Sequence, residues 1–269
     1  MPAAVVHPLA LVESGAELHA GVTIGPYCQV GRDVVLRQSV ELISHAVVAG
    51  RTTIGARTRV FPFTSIGHAP QDKKYAGEAS TLEIGADCSI REGVTINPGT
   101  AGGRMATNIG DRCMLLAQAH VAHDCRLGNG VLLANNVMLA GHVTVEDHAI
   151  VGGGAAVQQF VRIGAHAFLG GLSGLEGDLI PFGFALGNRA RLTGLNLVGL
   201  RRHEFSRGSI DALRAAYRVL FASGKTLRDR AQEISRDVTA PEVQQLVRFV
   251  LEGDQRSFCL PREELGTAE

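Results

Sequence analysis

The segment AQAHVAHDCRLG, residues 117–128, places two histidines and an aspartate close together in the chain. An imidazole that titrates near neutrality can take a proton from a hydroxyl or an amine, which is typically worth about 10²–10⁴ in rate. His120 and His123 are therefore candidates for a general base, and Asp124 could orient a histidine or hold a substrate. Because a single histidine is more often a surface residue than a catalytic one, the hypothesis depends on what the fold places around this segment.

The elements that must position these side chains follow a repeat of six residues. An aliphatic residue recurs at every sixth position from Val6 to Ile66, again at 84, 90 and 96, and after a shift of one position from Ile109 to Leu175. A small or β-branched residue often stands four positions later. Two inward positions in six residues, with polar corners between them, are the period of strands and turns, whereas an α-helix would drift out of phase. The sequence therefore predicts a mainly β solenoid.

This pattern resembles the hexapeptide-repeat family, whose fold is a left-handed parallel β-helix with three hexads per coil. Small residues at the inward corners suit the narrow triangular cross-section that the resemblance implies. Four cysteines occupy such inward positions, and the chain has no CxxC pair, so we interpret them as buried thiols rather than metal ligands. They are Cys28, Cys88, Cys113 and Cys125.

The breaks in the repeat define the domain organisation. Residues 1–180 are predicted to form the β-helix, with loops extruded near residues 67–83 and 97–108. Loops on a rigid solenoid commonly carry binding residues, although a tolerated surface insertion is the alternative for each. Residues 181–269 are predicted to form a C-terminal region that is mostly helical from about residue 209.

Helix start and stop signals occur in this C-terminal region. Ser209 is a plausible N-cap and Gly224 a plausible stop for the first long helix. Thr226 and Thr239 each precede an acidic residue by three positions, which is the capping-box arrangement for two further helices. The segment could cover the open end of the last coil.

Composition excludes some classes of function. The chain has 26 basic and 26 acidic residues, and this zero net charge argues against nucleic-acid binding. No stretch approaches eighteen consecutive apolar residues, so no membrane span is expected. The N-terminus has no basic start followed by a long apolar run, so no secretory signal is expected and the cytoplasm is the default location.

With eighteen residues per coil, residues eighteen apart stack about 4.8 Å from each other. His123, Gly141 and Gln159 form one such column at a corner, and His142 neighbours it. An amide at Gly141 aimed at a developing oxyanion could add roughly 10²–10³ in rate. The column favours a catalytic role for His123. Other histidines are interpreted as solvent-facing corner residues, namely His7, His19, His45, His148 and His166.

A set of motifs resembles the UDP-N-acetylglucosamine O-acyltransferase family that begins lipid A synthesis. The motifs are QDKKYAGE, AHVAHDC, LANN, LAGHV, GAHAFLGGLSG, GN at 187–188 and SGKTL, and their order and spacing agree over nearly the whole chain. The resemblance implies transfer of a 3-hydroxyacyl chain from acyl carrier protein to the 3-position of the UDP-linked sugar. It also implies a homotrimer with active sites between subunits, with the carrier thioester as co-substrate and no cofactor or metal.

The resemblance also implies roles for individual residues. His123 would be the general base, Asp124 would support it, and the Gly141 amide would stabilise the oxyanion. Gly171 matches the position that tunes acyl length, where glycine would admit a longer chain. The remaining matches would bind the sugar nucleotide or line the same cleft, namely Asp72, Lys74, His120, His142, Gln159, Asn196 and Arg202.

Departures from the family pattern leave the acceptor open. The family pattern has histidine where this chain has Asn97, Gln158 and Arg189. It has glutamate at the position of Val198 and arginine at the position of His203. A sugar with a 3-amino group is one alternative, and the related enzyme that N-acylates the next intermediate is another. A zinc hydratase with His120, His123 and His142 as ligands is a further alternative, as is a structural solenoid without activity.

Overall fold

The computed structural model describes residues 3–237, 239–253 and 256–261. Its main element is a stack of very short strands, most of them two residues long, joined by tight corners. The strands are β1 (Val5–Val6), β2 (Leu11–Val12), β3 (Glu17–Leu18), β4 (Thr23–Ile24), β5 (Gln29–Val30), β6 (Val35–Leu36), β7 (Glu41–Leu42), β8 (Val47–Val48), β9 (Arg51–Ile54), β10 (Arg59–Val60), β11 (Ser65–Ile66), β12 (Thr81–Ile84), β13 (Ser89–Ile90), β14 (Thr95–Ile96), β15 (Ala106–Ile109), β16 (Met114–Leu115), β17 (His120–Val121), β18 (Arg126–Leu127), β19 (Leu132–Leu133), β20 (Met138–Leu139), β21 (Thr144–Val145), β22 (Ile150–Val151), β23 (Ala156–Val157), β24 (Arg162–Ile163), β25 (Phe168–Leu169), β26 (Gly174–Leu175), β27 (Gly183–Leu186) and β28 (Arg191–Leu195).

Successive strands fall in turn on three parallel sheets, so the chain winds into a triangular β-helix. Face A contains β1, β4, β7 and every third strand to β25, followed by β27 and β28. Face B runs from β2 to β26, and face C from β3 to β24. Neighbouring strands of a face pair eighteen residues apart wherever no loop intervenes, as Met114 pairs with Leu132. The predicted solenoid and its eighteen-residue coil are confirmed.

The hexad explains this geometry. From Val22 onward the recurring aliphatic residue and the small residue four positions later both point inward and are almost fully buried, as at Leu133 and Val137. The predicted inward cysteines are buried in the same way, and all five cysteines are free. A Cβ at Gly25, directly after Ile24, would overlap the carbonyl oxygen of Ile43 in the next coil. Close approach of the coils therefore favours glycine at this position.

The two breaks in the repeat leave the β-helix at the same edge. Residues 67–80 join β11 to β12, and residues 97–105 join β14 to β15. Both pairs pass from face B to face C in consecutive coils. Each returning strand, β12 and β15, is four residues long, so the last residues of each predicted loop belong to the sheet.

The C-terminal region closes the last coil. Leu179 bridges to Ile163 on face C, β27 pairs with β25, and β28 returns antiparallel to β27. The helices that follow are α1 (Leu197–Arg202), α2 (Arg207–Leu220), α3 (Leu227–Asp237) and α4 (Pro241–Leu251). Within the described residues, none of these helices combines the length and apolar character that crossing a bilayer requires.

Three of the predicted helix signals are wrong. The N-cap of α2 is Ser206, because its side chain accepts a hydrogen bond from the Ser209 amide at 3.0 Å. Gly224 does not end this helix, which stops four residues earlier at Leu220. Thr239 does not cap α4, which begins at Pro241 after Ala240, since proline suits the first helical position. The Thr226 capping box is confirmed: Asp229 and Thr226 exchange hydrogen bonds of 3.1 and 3.4 Å.

Candidate active site

The edge between faces B and C, which we call the BC edge, gathers both loops and the predicted histidine column. His123 is the second residue after β17, and Gly141 and Gln159 hold the same place after β20 and β23. The register is fixed by the backbone: the His142 amide donates to the His123 carbonyl at 2.9 Å, and the Phe160 amide to the Gly141 carbonyl at 3.1 Å. The predicted column is therefore present.

Asp124 is held in place by the second loop. Its carboxylate is fully buried. It accepts three hydrogen bonds, from the Thr100 hydroxyl at 2.6 Å, the Thr100 amide at 3.2 Å and the Arg104 amide at 2.7 Å. Burial raises the pKa of Asp124, but these hydrogen bonds and one from His123 outweigh it, so the net pKa is lowered. Asp124 is therefore a carboxylate at neutral pH.

The imidazole of His123 is oriented by this carboxylate. Nδ1 of His123 lies 2.9 Å from Oδ2 of Asp124, which places the Nδ1 proton between them. In the neutral form of this ring Nε2 is the acceptor nitrogen, and it lies 4.0 Å from Oδ2 of Asp72. Only 8% of His123 is exposed. A buried, oriented imidazole with its acceptor nitrogen facing a loop is the arrangement that a general base needs.

Gly141 lies directly against the His123 ring. A Cβ on Gly141 would come within 2.5 Å of Cε1 and 2.6 Å of Nε2 of His123, so only glycine leaves the ring its position. The Gly141 amide donates no hydrogen bond to any residue that the structure describes. It is thus an available donor next to the base.

His142 and His120 flank the base. The His142 ring meets the His123 ring edge-on at 5.0 Å and stacks on Phe160 at 4.3 Å. His120 Nδ1 is hydrogen-bonded to the Thr95 hydroxyl at 2.7 Å. Burial is the main cause that lowers the pKa of both His120 and His142. Both rings are therefore neutral at pH 7 and able to donate or accept a hydrogen bond.

Asp72 and Lys74 come from the first loop. The Lys74 amide donates to Oδ1 of Asp72 at 3.0 Å, which leaves Oδ2 directed at His123. The Lys74 side chain is exposed. The loop thus brings the carboxylate of Asp72 to the BC edge, with Lys74 two residues further along the chain.

A metal-ligand set is also geometrically present. Ligand atoms of His123, Asp124 and His142 lie within 4.8 Å of one another, whereas His120 belongs to no such group among the described residues. Both oxygens of Asp124 already accept hydrogen bonds from Thr100, and Nδ1 of His123 faces Oδ2. A metal ion would have to displace these bonds. The donor set therefore favours orientation of the imidazole over metal binding.

Three predicted residues lie elsewhere in the chain. Asn196 caps α1, and with Arg202 it lines a cavity of about 390 Å³ against Phe168 and Phe184 on face A. In a triangular β-helix, face A is opposite the BC edge. Gly171 lies between β25 and β26, at the edge between faces A and B. One chain therefore does not bring Asn196, Arg202 or Gly171 to His123.

Two departures from the family pattern have structural consequences. Asn97 is buried at the BC edge, where Nδ2 donates to the His68 carbonyl at 3.1 Å and Oδ1 has no partner among the described residues. His203 lies 4.8 Å from His166 and 5.1 Å from His148, measured between ring centroids. His166 and His148 are both half-buried in this cluster, so their interpretation as solvent-facing residues is wrong.

Several residues at the edge had no sequence signal. Thr100, Arg104 and Glu78 lie in the aperiodic loops, where no repeat predicts which side chains meet. Phe160 did have a signal in the sequence. It lies eighteen residues after His142, so the coil length places the two side chains next to each other.

Comparisons with known proteins agree with this architecture. Residues 106–141 match the bacterial transferase hexapeptide model, and residues 178–259 match the model of UDP-N-acetylglucosamine O-acyltransferase domain 2. An acyl-[acyl-carrier-protein]–UDP-N-acetylglucosamine O-acyltransferase from Rhizobium johnstonii is 47% identical and covers 95% of this chain and 94% of its own. The enzyme of that name from Bartonella henselae is 46% identical, with coverages of 96% and 95%.

Solved structures show the same likeness. UDP-N-acetylglucosamine acyltransferase from Campylobacter jejuni superposes with a TM-score of 0.91 at 39% identity, covering 96% of this chain and all of its own. The O-acyltransferase from Moraxella catarrhalis gives 0.89 at 37% identity, with coverages of 96% and 99%. The predicted left-handed parallel β-helix with a helical C-terminus is confirmed. On this evidence the chain belongs to the UDP-N-acetylglucosamine O-acyltransferase family.

Proposed function

We propose that this protein transfers a 3-hydroxyacyl chain from acyl carrier protein to the 3-position of UDP-N-acetylglucosamine, the first step of lipid A synthesis. One observation carries the proposal. A chain 47% identical to a named O-acyltransferase holds a buried imidazole, a clamped carboxylate and an unpartnered amide together where both loops meet.

In this reaction His123 acts as the general base. Nε2 takes the proton from the 3-hydroxyl as its oxygen attacks the thioester carbonyl carbon, which adds about 10²–10⁴ in rate. Asp124, fixed through Nδ1, stabilises the imidazolium that forms. The tetrahedral intermediate then collapses, the C–S bond breaks, and the imidazolium returns the proton to the departing carrier thiolate.

The Gly141 amide stabilises the oxyanion. It has no acceptor among the described residues and lies against the His123 ring, so it can donate to a carbonyl oxygen attacked beside Nε2. One such donor is worth roughly 10²–10³ in rate. No cofactor is required, because the carrier thioester supplies the activated acyl group.

The first loop and the flanking side chains hold the acceptor. Asp72, 4.0 Å from His123, can accept a hydrogen bond from a sugar hydroxyl next to the base, and exposed Lys74 suits the diphosphate. His120 and His142, which burial keeps neutral, line the same cleft. Gln159, one coil beyond Gly141, completes the column.

A homotrimer completes the site. Asn196 and Arg202 contact the nucleotide in our proposal, yet within one chain they lie by face A, opposite the BC edge. A neighbouring copy that sets its face A against the BC edge would bring them to His123, and repetition around a threefold axis closes the ring. The five free, buried cysteines are consistent with a cytoplasmic location, where disulfides are rare.

Gly171 sets the acyl length in this proposal. Along face B the outward-facing residues become smaller from coil to coil, with Met138 followed by Ala156 and then Gly174. Gly171 immediately precedes this face in the chain, at its far edge. The shrinking side chains leave space for an acyl chain that ends near Gly171.

Asn97 favours one second candidate, transfer to a 3-amino sugar to form an amide. Its buried Oδ1 is an acceptor without a donor among the described residues. An amine has one more N–H to offer than a hydroxyl has O–H. Residues at the BC edge would otherwise keep the same roles.

The test is acyl transfer from 3-hydroxyacyl carrier proteins of several chain lengths to UDP-N-acetylglucosamine and to its 3-amino analogue. The proposal predicts O-acylation of the first sugar, with the product identified by mass spectrometry and NMR. Preference for the analogue would establish the second candidate. No transfer to either sugar by folded protein would refute both.

A further inference from the structure

Glu78 joins the two loops at the BC edge. Its Oε2 accepts the Ala76 amide at 2.8 Å within the first loop. Its Oε1 accepts the Ala101 amide at 2.8 Å in the second loop. The Ala101 bond is the largest cause that lowers the pKa of Glu78. Glu78 is therefore an ionised double acceptor with one oxygen committed to each loop.

The two loops carry different parts of the site. The first positions Asp72 and Lys74, which the proposed reaction uses to bind the sugar nucleotide. The second holds the carboxylate of Asp124 through Thr100, the residue next to Ala101. Glu78 is thus the connection between the acceptor-binding residues and the residues that orient the base.

Other connections between the loops lie at their bases. The Asn97 side chain donates to the His68 carbonyl at 3.1 Å, and the Gly99 amide to the Thr81 carbonyl at 3.3 Å. Between residues 70–78 and 98–104, the Glu78–Ala101 bond is the one hydrogen bond found in the described structure. The outer part of the first loop therefore depends on Glu78 for its distance from the second.

We infer that Glu78 is a positioning residue that fixes the acceptor-binding loop against the loop that clamps the Asp124 carboxylate. The inference rests on the proposed function for its kinetic consequence. Without Glu78, Asp124 keeps its own hydrogen bonds from Thr100 and Arg104, so the base stays oriented. Asp72 and Lys74 would instead sample positions away from the cleft, and binding of the acceptor would weaken.

Glu78→Ala is expected to raise the KM for UDP-N-acetylglucosamine about tenfold, since a hydrogen bond to a charged group is worth roughly that much or more. The kcat and the KM for the acyl donor should change less than threefold. Glu78→Gln keeps one acceptor oxygen but turns an N–H group towards the other amide, so an intermediate KM is expected. Glu83→Ala is the matched control, because the Glu83 side chain is exposed on β12 and makes no hydrogen bond or ion pair in the described structure.

Amide hydrogen exchange of the same variants tests the connection without relying on turnover. Glu78→Ala should speed exchange across residues 70–78 and at Ala101, and the control should not. Unchanged exchange, or a KM for the acceptor within twofold of wild type, would overturn the inference. A fall in kcat together with equal rises in the KM values for both substrates and a lower Tm would also overturn it, since that pattern indicates general damage to the fold. If wild type transfers no acyl group, the proposed function fails, and exchange alone decides on Glu78.

Discussion

Gly141→Ala isolates the position of the His123 ring from every other feature of the site. The substitution keeps the backbone amide that is proposed to bind the oxyanion. Gly141 does not have a left-handed φ, so alanine can adopt its backbone conformation. What the new methyl group adds is a collision: it would lie 2.5 Å from Cε1 and 2.6 Å from Nε2 of His123.

The size of the effect follows from these distances. Carbon atoms in contact sit about 3.5–4.0 Å apart, so the ring must move by roughly 1 Å or more. That movement disrupts the 2.9 Å contact between Nδ1 and Asp124 and withdraws Nε2 from the cleft. A misplacement of about 1 Å can cost about 10² in rate. We therefore expect kcat to fall about a hundredfold, with an overpacking cost of at most about 1–3 kcal/mol in unfolding free energy.

The assay is single-turnover acyl transfer, with Tm measured on the same preparations. Gly31→Ala is the control, because a Cβ there has its nearest contact at an ordinary 3.5 Å, and it should match wild type in both measurements. A Gly141→Ala protein that keeps its rate within threefold of wild type would refute the reasoning, because an imidazole that tolerates this displacement is not an oriented base.

Three further perturbations have defined outcomes. Thr100→Val removes the 2.6 Å hydrogen bond to Asp124 while keeping the shape of the side chain, and steady-state kinetics should show kcat about tenfold lower with little change in KM. His166→Phe should flatten the pH dependence of Tm. Burial, helped by His203 and His148, lowers the pKa of His166 to about 4, so the unfolded state with its pKa near 6.5 binds the proton first. Wild-type stability therefore falls as pH drops from about 6.5 towards 4, and equal slopes for the two proteins would contradict this. Gly171→Met should shift the preferred donor to shorter acyl chains in a competition among carrier proteins, and an unchanged preference would remove Gly171 from the acyl path.

The periodic part of the chain could be read from the sequence because each hexad has the same physical task. One aliphatic and one small residue face inward in every six, so the coil length and the corner columns follow by counting. The approach of His142 to His123 and the proximity of Gly141 to the ring are consequences of that register. The burial of the inward cysteines follows in the same way.

The aperiodic part could not be derived in this way. Thr100 and Glu78 act through contacts with residues 24 and 23 positions later in the chain, and no local pattern encodes them. At the start of α2, two serines three residues apart both satisfy the N-cap preference, and the structure selects Ser206. The relation of Asn196 to the BC edge depends on how copies of the chain assemble, which the hexads of one chain do not specify.

The most direct test of the proposed mechanism is the single-turnover rate of His123→Ala with 3-hydroxyacyl carrier protein and UDP-N-acetylglucosamine. Binding of the sugar nucleotide is measured in parallel by calorimetry. The mechanism predicts a rate about 10²–10⁴ below wild type, with binding of the nucleotide within a few-fold of wild type. A variant that transfers the acyl chain within tenfold of the wild-type rate would contradict the assignment of His123 as the base.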